Sequence, residues 1–179
     1  MALVKYNLNG HTVEYDGSEF EVHYSLNNDY LHYIGNGINV TNPKGNISCY
    51  RMFEDFKGNS LDLSKFKTSE ITNMSSMFCN CENLKSLNIS NFNTSNVITM
   101  ECMFWNCKNL KELDISSFYI DNTEILDYIF WNCRSLKTLK VSSDCLQFFL
   151  INRALLDIEN DVNIIPVNKL DKAIEDLFY

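Results

Sequence analysis

The chain has 179 residues, 45% of them hydrophobic and 21% charged, with only six Gly and two Pro, which excludes collagen-like, low-complexity and wholly disordered chains. Fifteen Lys and Arg against 23 Asp and Glu give a net charge of −8; binding to a phosphate backbone draws on a basic surface, so direct nucleic-acid binding is not expected. A domain of this length buries roughly two-thirds of the surface its unfolded chain exposes, and needs neither metal nor disulfide merely to hold together.

The first residues, Met1-Ala2-Leu3-Val4-Lys5, run straight into an alternating strand pattern, so no export signal is expected there. No apolar run approaches membrane-spanning length. Seven cysteines, an odd number, in such a chain read as reduced thiols. The expected location is cytoplasmic, with no membrane contact. Residues 1–48 read as a β-meander: Val4 to Leu8, His11 to Tyr15, Phe20 to Leu26 and Tyr30 to Ile34, with Asn9-Gly10 and Asp16-Gly17 supplying hairpin signals between alternating runs.

Residues 49–143 repeat. Met77-Phe78-Cys79-Asn80-Cys81-Glu82-Asn83-Leu84 recurs as Met103-Phe104-Trp105-Asn106-Cys107-Lys108-Asn109-Leu110 and as Ile129-Phe130-Trp131-Asn132-Cys133-Arg134-Ser135-Leu136, each offset by 26 residues. A second block recurs at the same offset, from Leu61-Asp62-Leu63-Ser64 through Leu87-Asn88-Ile89-Ser90 and Leu113-Asp114-Ile115-Ser116 to Leu139-Lys140-Val141-Ser142. The second block has the period of a short strand with one apolar side. In the first, Met100, Met103, Phe104 and Cys107 fall at i, i+3, i+4, i+7, which predicts a short helix with one buried stripe. One strand and one helix per 26 residues is a solenoid coil, and the strands near Leu61, Leu87, Leu113 and Leu139 are expected to stack in parallel. Thr68-Ser69 and Thr94-Ser95 precede the helical stretches, where hydroxyls cap helix N–H groups.

The pattern L-x-[LI]-S-x-F, then Thr-Ser, then N-[MV]-x-x-M-F-x-N-C-x-N-L resembles the BspA-like leucine-rich repeat of many bacterial surface proteins and lipoproteins, over about 95 of the 179 residues. The resemblance implies a right-handed leucine-rich-repeat solenoid that binds other macromolecules, and it brings no catalytic residue set.

Residues 144–179 hold an apolar run from Leu146 to Leu156, a strand-like Val162 to Val167 containing Pro166, and a terminal helix with Leu170, Ile174, Leu177 and Phe178 on one face. Solenoid ends expose apolar core and need covers. The expected fold class is thus α/β: about four coils, with residues 1–48 as an N-terminal β-meander cap and 144–179 as an acidic C-terminal α/β cap. The ends are the acidic parts. Residues 1–48 carry five acids and two bases, residues 144–179 seven and three, and the repeats eleven and ten. Steering toward a basic protein partner would come from the caps.

Cys81, Cys107 and Cys133 share one inward position of successive coils, where a small polarisable side chain packs well. Neither Cys79-x-Cys81 nor the Cys102 to Cys107 pair has a zinc-ligand spacing, and no His falls in the repeats, so no metal or other cofactor is expected. A Cys/His nucleophile pair would have to recruit His11, His23 or His32 from the meander. On a wheel advancing about 100° per residue, Trp105 leans roughly 140° from Met100, with Trp131 and Tyr128 one coil along. This aromatic ladder is one candidate contact surface, Trp and Tyr being enriched in binding hot spots; a terminal helix folded over it is the competing expectation. Asp62, Asn88, Asp114 and Lys140 form a second, polar ladder between inward strand residues. The leading reading is a non-catalytic protein-binding module acting inside the cell. Alternatives are a phage or mobile-element inhibitor whose acidic caps block a basic channel on a host defence nuclease, and a thiol-dependent enzyme.

Overall fold

The structure, a computed structural model, describes residues 4–8, 11–15, 38–40, 47–64, 68–69 and 71–168. Strands β1 (Val4–Leu8) and β2 (His11–Tyr15) pair antiparallel, with Val4 opposite Tyr15 and Leu8 opposite His11. That register leaves two residues for the connection, the length an Asn-Gly hairpin takes. Strand β3 (Ile38–Val40) adds antiparallel to β2. The strands expected at Phe20–Leu26 and Tyr30–Ile34 and the helix expected at Leu170–Phe178 lie outside the described residues.

The repeats wind into a β-solenoid of about four coils. On one face β4 (Ile47–Ser48) pairs parallel with β6 (Ile71–Asn73), and single bridges carry the column onward from Asn73 to Thr99 and from Thr99 to Ile125. On another, β5 (Ser60–Asp62) and β7 (Ser86–Asn88) pair in parallel with Leu61 opposite Leu87. Strands β8 (Glu112–Ile115) and β9 (Thr138–Ser142) pair likewise, with Leu113 opposite Leu139. Among the described residues no ladder joins β7 to β8, yet the two strands still neighbour each other, so the expected four-strand stack keeps its order with a gap in its hydrogen bonding. After β9 come a 3₁₀ turn (Ser143–Cys145), the short helix α1 (Leu146–Ile151) and β10 (Asn163–Val167), which pairs parallel on β9 with Ile164 opposite Leu139. The C-terminal segment therefore extends the strand ladder, and Pro166 sits where the N–H it lacks is tolerated, on the edge strand.

Where the period predicts a helix, the chain makes a run of tight turns. Met100, Met103, Phe104 and Cys107 are buried as the stripe requires, but the backbone bonding alternates. The N–H groups of Met103, Trp105 and Cys107 donate to the carbonyls three residues earlier, at Met100, Cys102 and Phe104, over 3.0–3.1 Å. Those of Cys102, Phe104 and Asn106 donate across to Asp127, Ile129 and Trp131 of the next coil at 3.0, 2.9 and 2.8 Å. A helix this short is marginal by itself; alternating turn and inter-coil bonds satisfies the same groups. Residues at positive φ make the alternation possible, and they recur in pairs: Arg51 and Asp55, Ser76 and Asn80, Cys102 and Asn106, Tyr128 and Asn132, all between 54° and 65°. Asn and Asp tolerate this region better than other non-Gly residues, which accounts for the repeated Asn of the sequence block.

Identical coils in register stack identical side chains. Phe53, Phe78, Phe104 and Phe130 form a column of near-parallel rings 5.6, 5.5 and 5.7 Å apart. Each such pair contributes about 0.5–1.5 kcal/mol beyond its burial. Beside it the buried thiols of Cys81, Cys107 and Cys133 donate to the carbonyls of Phe53, Phe78 and Phe104 in the coil before, at 3.1, 3.2 and 3.1 Å. These cysteines do more than fill space. Asn106 Nδ2 donates to Asn80 Oδ1 at 2.9 Å, and Asn132 Nδ2 donates to Asn106 Oδ1. The threonines also differ from expectation. Buried Thr68 and Thr94 cap no helix, because none follows; each hydroxyl instead donates to a carbonyl of the next coil (Asn93 O, 2.9 Å; Tyr119 O, 2.8 Å) and accepts that residue's N–H at 2.7 Å.

The asparagine column separates conformation from hydrogen bonding. Asn106→Gly removes the amide bonds but keeps easy access to positive φ, whereas Asn106→Ala loses both. Denaturant unfolding should show Asn106→Ala the less stable of the two by about 1 kcal/mol, the left-handed penalty of a Cβ, and equal stabilities would assign the whole effect to the side-chain ladder.

Candidate functional site

Trp105-Asn106 and Trp131-Asn132 are the two central residues of turns closed by the Cys107 and Cys133 N–H groups on Phe104 and Phe130. Central turn residues project outward, so one corner carries both indoles. They stack at 4.1 Å with 26° between planes, and Tyr128 meets Trp105 edge-on at 5.8 Å and 70°. Trp105 is half-buried, whereas Trp131 and Tyr128 are 40% and 50% exposed. The three residues chosen from a helical phase do come together, on a turn corner instead of a helix. Under them run the asparagine column and Glu82, whose Oε1 accepts from Lys108 Nζ at 2.8 Å and Asn106 Nδ2 at 2.9 Å. Those two bonds, Lys108 first, pull the Glu82 carboxyl below its ordinary pKa.

Next to Trp131 the corner opens into a groove of about 600 Å³, lined among others by Arg134, Ile151, Arg153, Asp157 and Ile158. Its C-terminal wall is pinned by Arg153, whose guanidinium donates to Glu159 O at 2.9 Å and Val162 O at 2.8 Å. Ile151 is 70% exposed and Leu155 lies exposed close by in sequence, so apolar surface continues past the indoles.

The polar strand ladder is assembled as well, but its side chains are partly engaged. Asp62 lies opposite Asn88, and Asp114 opposite Lys140. The Oδ1 atoms of Asp62, Asn88 and Asp114 accept the N–H groups of Ser64, Ser90 and Ser116 at 2.9, 3.3 and 2.9 Å. These are turns closed by the side chain two residues before. Asp62, Asn88 and Lys140 remain exposed, while Asp114 is half-buried. The column lacks an aromatic anchor.

All seven cysteines are free. Burial pushes the Cys79 thiol up to about 12, with the nearby Glu54 carboxylate adding to it. Burial likewise raises Cys49 and Cys102, and Cys107 is held up by hydrogen bonding with Cys133 and Cys81 and by burial. Each shift favours the thiol over the nucleophilic thiolate. Among the described residues no group of three or more His, Cys, Asp and Glu is arranged to hold a metal ion, and no helix is long and apolar enough to cross a membrane.

One column escaped the sequence reading. Lys85, Lys111 and Lys137 recur at the 26-residue offset just before each strand, all exposed. A backbone bond joins two of them, Lys137 N–H donating to Lys111 O, while Lys85 N–H donates to Asn59 O and Asn163 N–H to Lys137 O, each at 2.8 Å. At the head of the column lies a polar groove of about 740 Å³ lined by Lys57, Asn59, Ser60, Asn83, Lys85 and Asn109. The offset that exposed the Trp and Asp ladders would have exposed this one.

A family described as "Mycoplasma protein of unknown function, DUF285" matches residues 47–147, more than half of the chain, and the protein belongs to that family. No curated protein and no solved structure matches it.

Raised thiol pKa values carry a sign for stability. The unfolded thiol ionises near its ordinary 9.0, while folded Cys79 holds its proton up to about 12. The contribution is therefore complete below pH 9 and is lost as pH rises toward 12. Melting temperature should hold steady through neutral pH and fall as pH climbs above about 9. A thiol that modifies faster than free cysteine at neutral pH would overturn this picture and restore a thiol-dependent enzyme.

Proposed function

We propose that the chain is a non-catalytic protein-binding module of the BspA-like leucine-rich-repeat kind, working in a reducing compartment of the cell. The observation that supports it best is the exposed stack of Trp105 and Trp131 with Tyr128 set against it. Indole and phenol rings give large, rigid contact area at small entropic cost, and they dominate binding hot spots. The adjoining groove offers an anchor side chain of a partner a mixed surface, with Trp131 and the exposed Ile151 beside the charged Arg134, Arg153 and Asp157. Free buried thiols are the state expected where disulfides do not form. The partner is a protein, and the acidic C-terminal segment favours one with basic charge around its apolar anchor.

Trp105→Ala and Trp131→Ala test the reading because both rings are at least partly exposed. Each should weaken partner binding by about 2 kcal/mol or more. Melting should shift only by what the lost ring stack is worth, about 0.5–1.5 kcal/mol. Proteins retained on the immobilised wild-type chain and released by both variants, with melting curves measured on the same samples, would support the proposal. Equal retention by wild type and both variants would refute it and shift attention to the Asp62, Asn88, Asp114 and Lys140 face.

A further inference from the structure

We infer that the groove beside Trp131 seats an arginine side chain of the protein partner, with its guanidinium on the open face of the indole and its N–H edge on the Asp157 carboxylate. The inference rests on the protein-binding reading and names the group that enters the site.

One face of Trp131 is taken. Trp105, from the coil before, stacks on it at 4.1 Å, while Trp131 itself lines the groove together with Ile151, Arg153, Asp157 and Glu159 of the segment that follows. With a ring on one side and the groove on the other, the indole stays 40% exposed. The face of an indole carries negative potential and attracts a cation, arginine more often than lysine.

The same groove holds carboxylates that the fold leaves unanswered. Among the described residues Glu82 has Lys108 at 2.8 Å and Asp161 pairs with Lys137, whereas neither Asp157 nor Glu159 has a cation within ion-pair distance. Asp157 is half-buried, and that burial, with the Glu159 charge added, holds its carboxyl above the ordinary range. Neither arginine of the lining relieves it. Arg153 is spent on two carbonyls, Glu159 O at 2.9 Å and Val162 O at 2.8 Å, and Arg134 stands exposed without an ion pair among the described residues. A cation arriving from outside gains a charge-assisted bond that the fold itself does not make.

Arginine suits both features at once. Its guanidinium is planar, so the face can lie on an indole while the edge donates to a carboxylate; a compact ammonium offers no such division of labour. Its methylene stem can cover apolar surface, and Ile151, 70% exposed, supplies that surface in the groove. An acidic anchor would find Arg134 but would also face the charges of Asp157 and Glu159.

The chain contains two tryptophans, and both stand at this corner, so its tryptophan emission reads the site directly. The full chain is titrated with a capped pentapeptide carrying one central arginine, and with the same peptide carrying lysine or the uncharged isostere citrulline in its place. The arginine peptide should change the emission saturably, bind more weakly as salt is added, and bind about fivefold or more tighter than either control. Asp157 sits at φ 54°, a conformation Asn tolerates, so Asp157→Asn removes the charge and keeps the turn. It should lower the affinity about tenfold. Should that variant fail to fold, Glu159→Gln, at an exposed position, repeats the test with a smaller loss expected. The assignment is overturned by an emission that does not saturate, by equal affinity for the arginine peptide and either control, or by unchanged affinity in the folded charge variant. Failure of the peptide while retained proteins are still released by Trp105→Ala and Trp131→Ala removes the arginine and leaves the protein-binding reading in place, so the two are distinguishable.

Discussion

The structure depends on one rule of backbone bonding: along each turn-rich segment, alternate N–H groups close a turn within the coil and reach across to the next coil. The rule holds from the Arg51, Phe53 and Asp55 N–H groups, which donate to Ser75, Met77 and Cys79, through Cys102, Phe104 and Asn106 in the third coil. It requires a left-handed residue at every fourth position of the segment, and the chain supplies one each time without using Gly. Positive φ costs a residue with a Cβ about 1–2 kcal/mol, yet the cost recurs eight times between Arg51 and Asn132. Strain of this kind persists only where surrounding bonds over-determine the backbone. Here the inter-coil bonds on either side do so.

Register then dictates chemistry. Once one coil is bonded to the next at a fixed offset, any side chain in the repeat meets its own copy, and only types that tolerate self-contact can occupy the interior. Phenylalanine meets itself as a stacked ring, asparagine as an amide that both donates and accepts, and cysteine as a thiol that turns to the previous coil's carbonyl. Threonine satisfies a donor and an acceptor on the neighbouring backbone with one hydroxyl. A buried lysine or glutamate column would fail the same test, since like charges would stack in low dielectric. Among the described residues the buried polar side chains are Thr and Ser apart from Glu54, which pairs with Arg51 at 3.0 Å, and Ser117 Oγ is the buried side-chain atom left without a partner.

How much of this was legible follows from what a repeat reveals. The offset of 26 residues locates the coils, the strand pairs Leu61 with Leu87 and Leu113 with Leu139, and the inward columns of Phe and Cys, because stacking depends on register alone. The helix was misread because i, i+3, i+4, i+7 spacing also arises when consecutive turns return every third or fourth side chain to the interior. The spacing reports burial. It does not report which carbonyl receives each N–H. The repeated Asn at positions 80, 106 and 132 was the available clue, since Asn recurring beside buried positions suits left-handed turns better than helix interiors. The Trp corner was found for a reason that survived this error, as Trp105 points away from the buried stripe in either conformation. The outward role of Asp62, Asn88 and Asp114 was legible, whereas their side-chain bonds to Ser64, Ser90 and Ser116 depended on turns that alternation alone does not specify.

A scaffold built this way separates columns that hold the coils together from columns that are free to vary. In a column whose side chains bond across coils, such as Asn80, Asn106 and Asn132, a change at the central residue breaks two contacts and a change at either neighbour breaks one. A column whose side chains end in solvent carries no such constraint, and its composition reflects what the surface meets. The outer corner changes from Cys79 to Trp105 and Trp131 along three coils that keep Phe and Cys unchanged in the core. The aromatic surface is thus graded along the solenoid, concentrated at its C-terminal half, where the groove beside Trp131 opens. The polar groove beside Lys57 and Lys85 lies toward the other end, on the first coils. Two surfaces of different chemistry on one rigid ladder can be occupied together, since neither shares lining residues with the other.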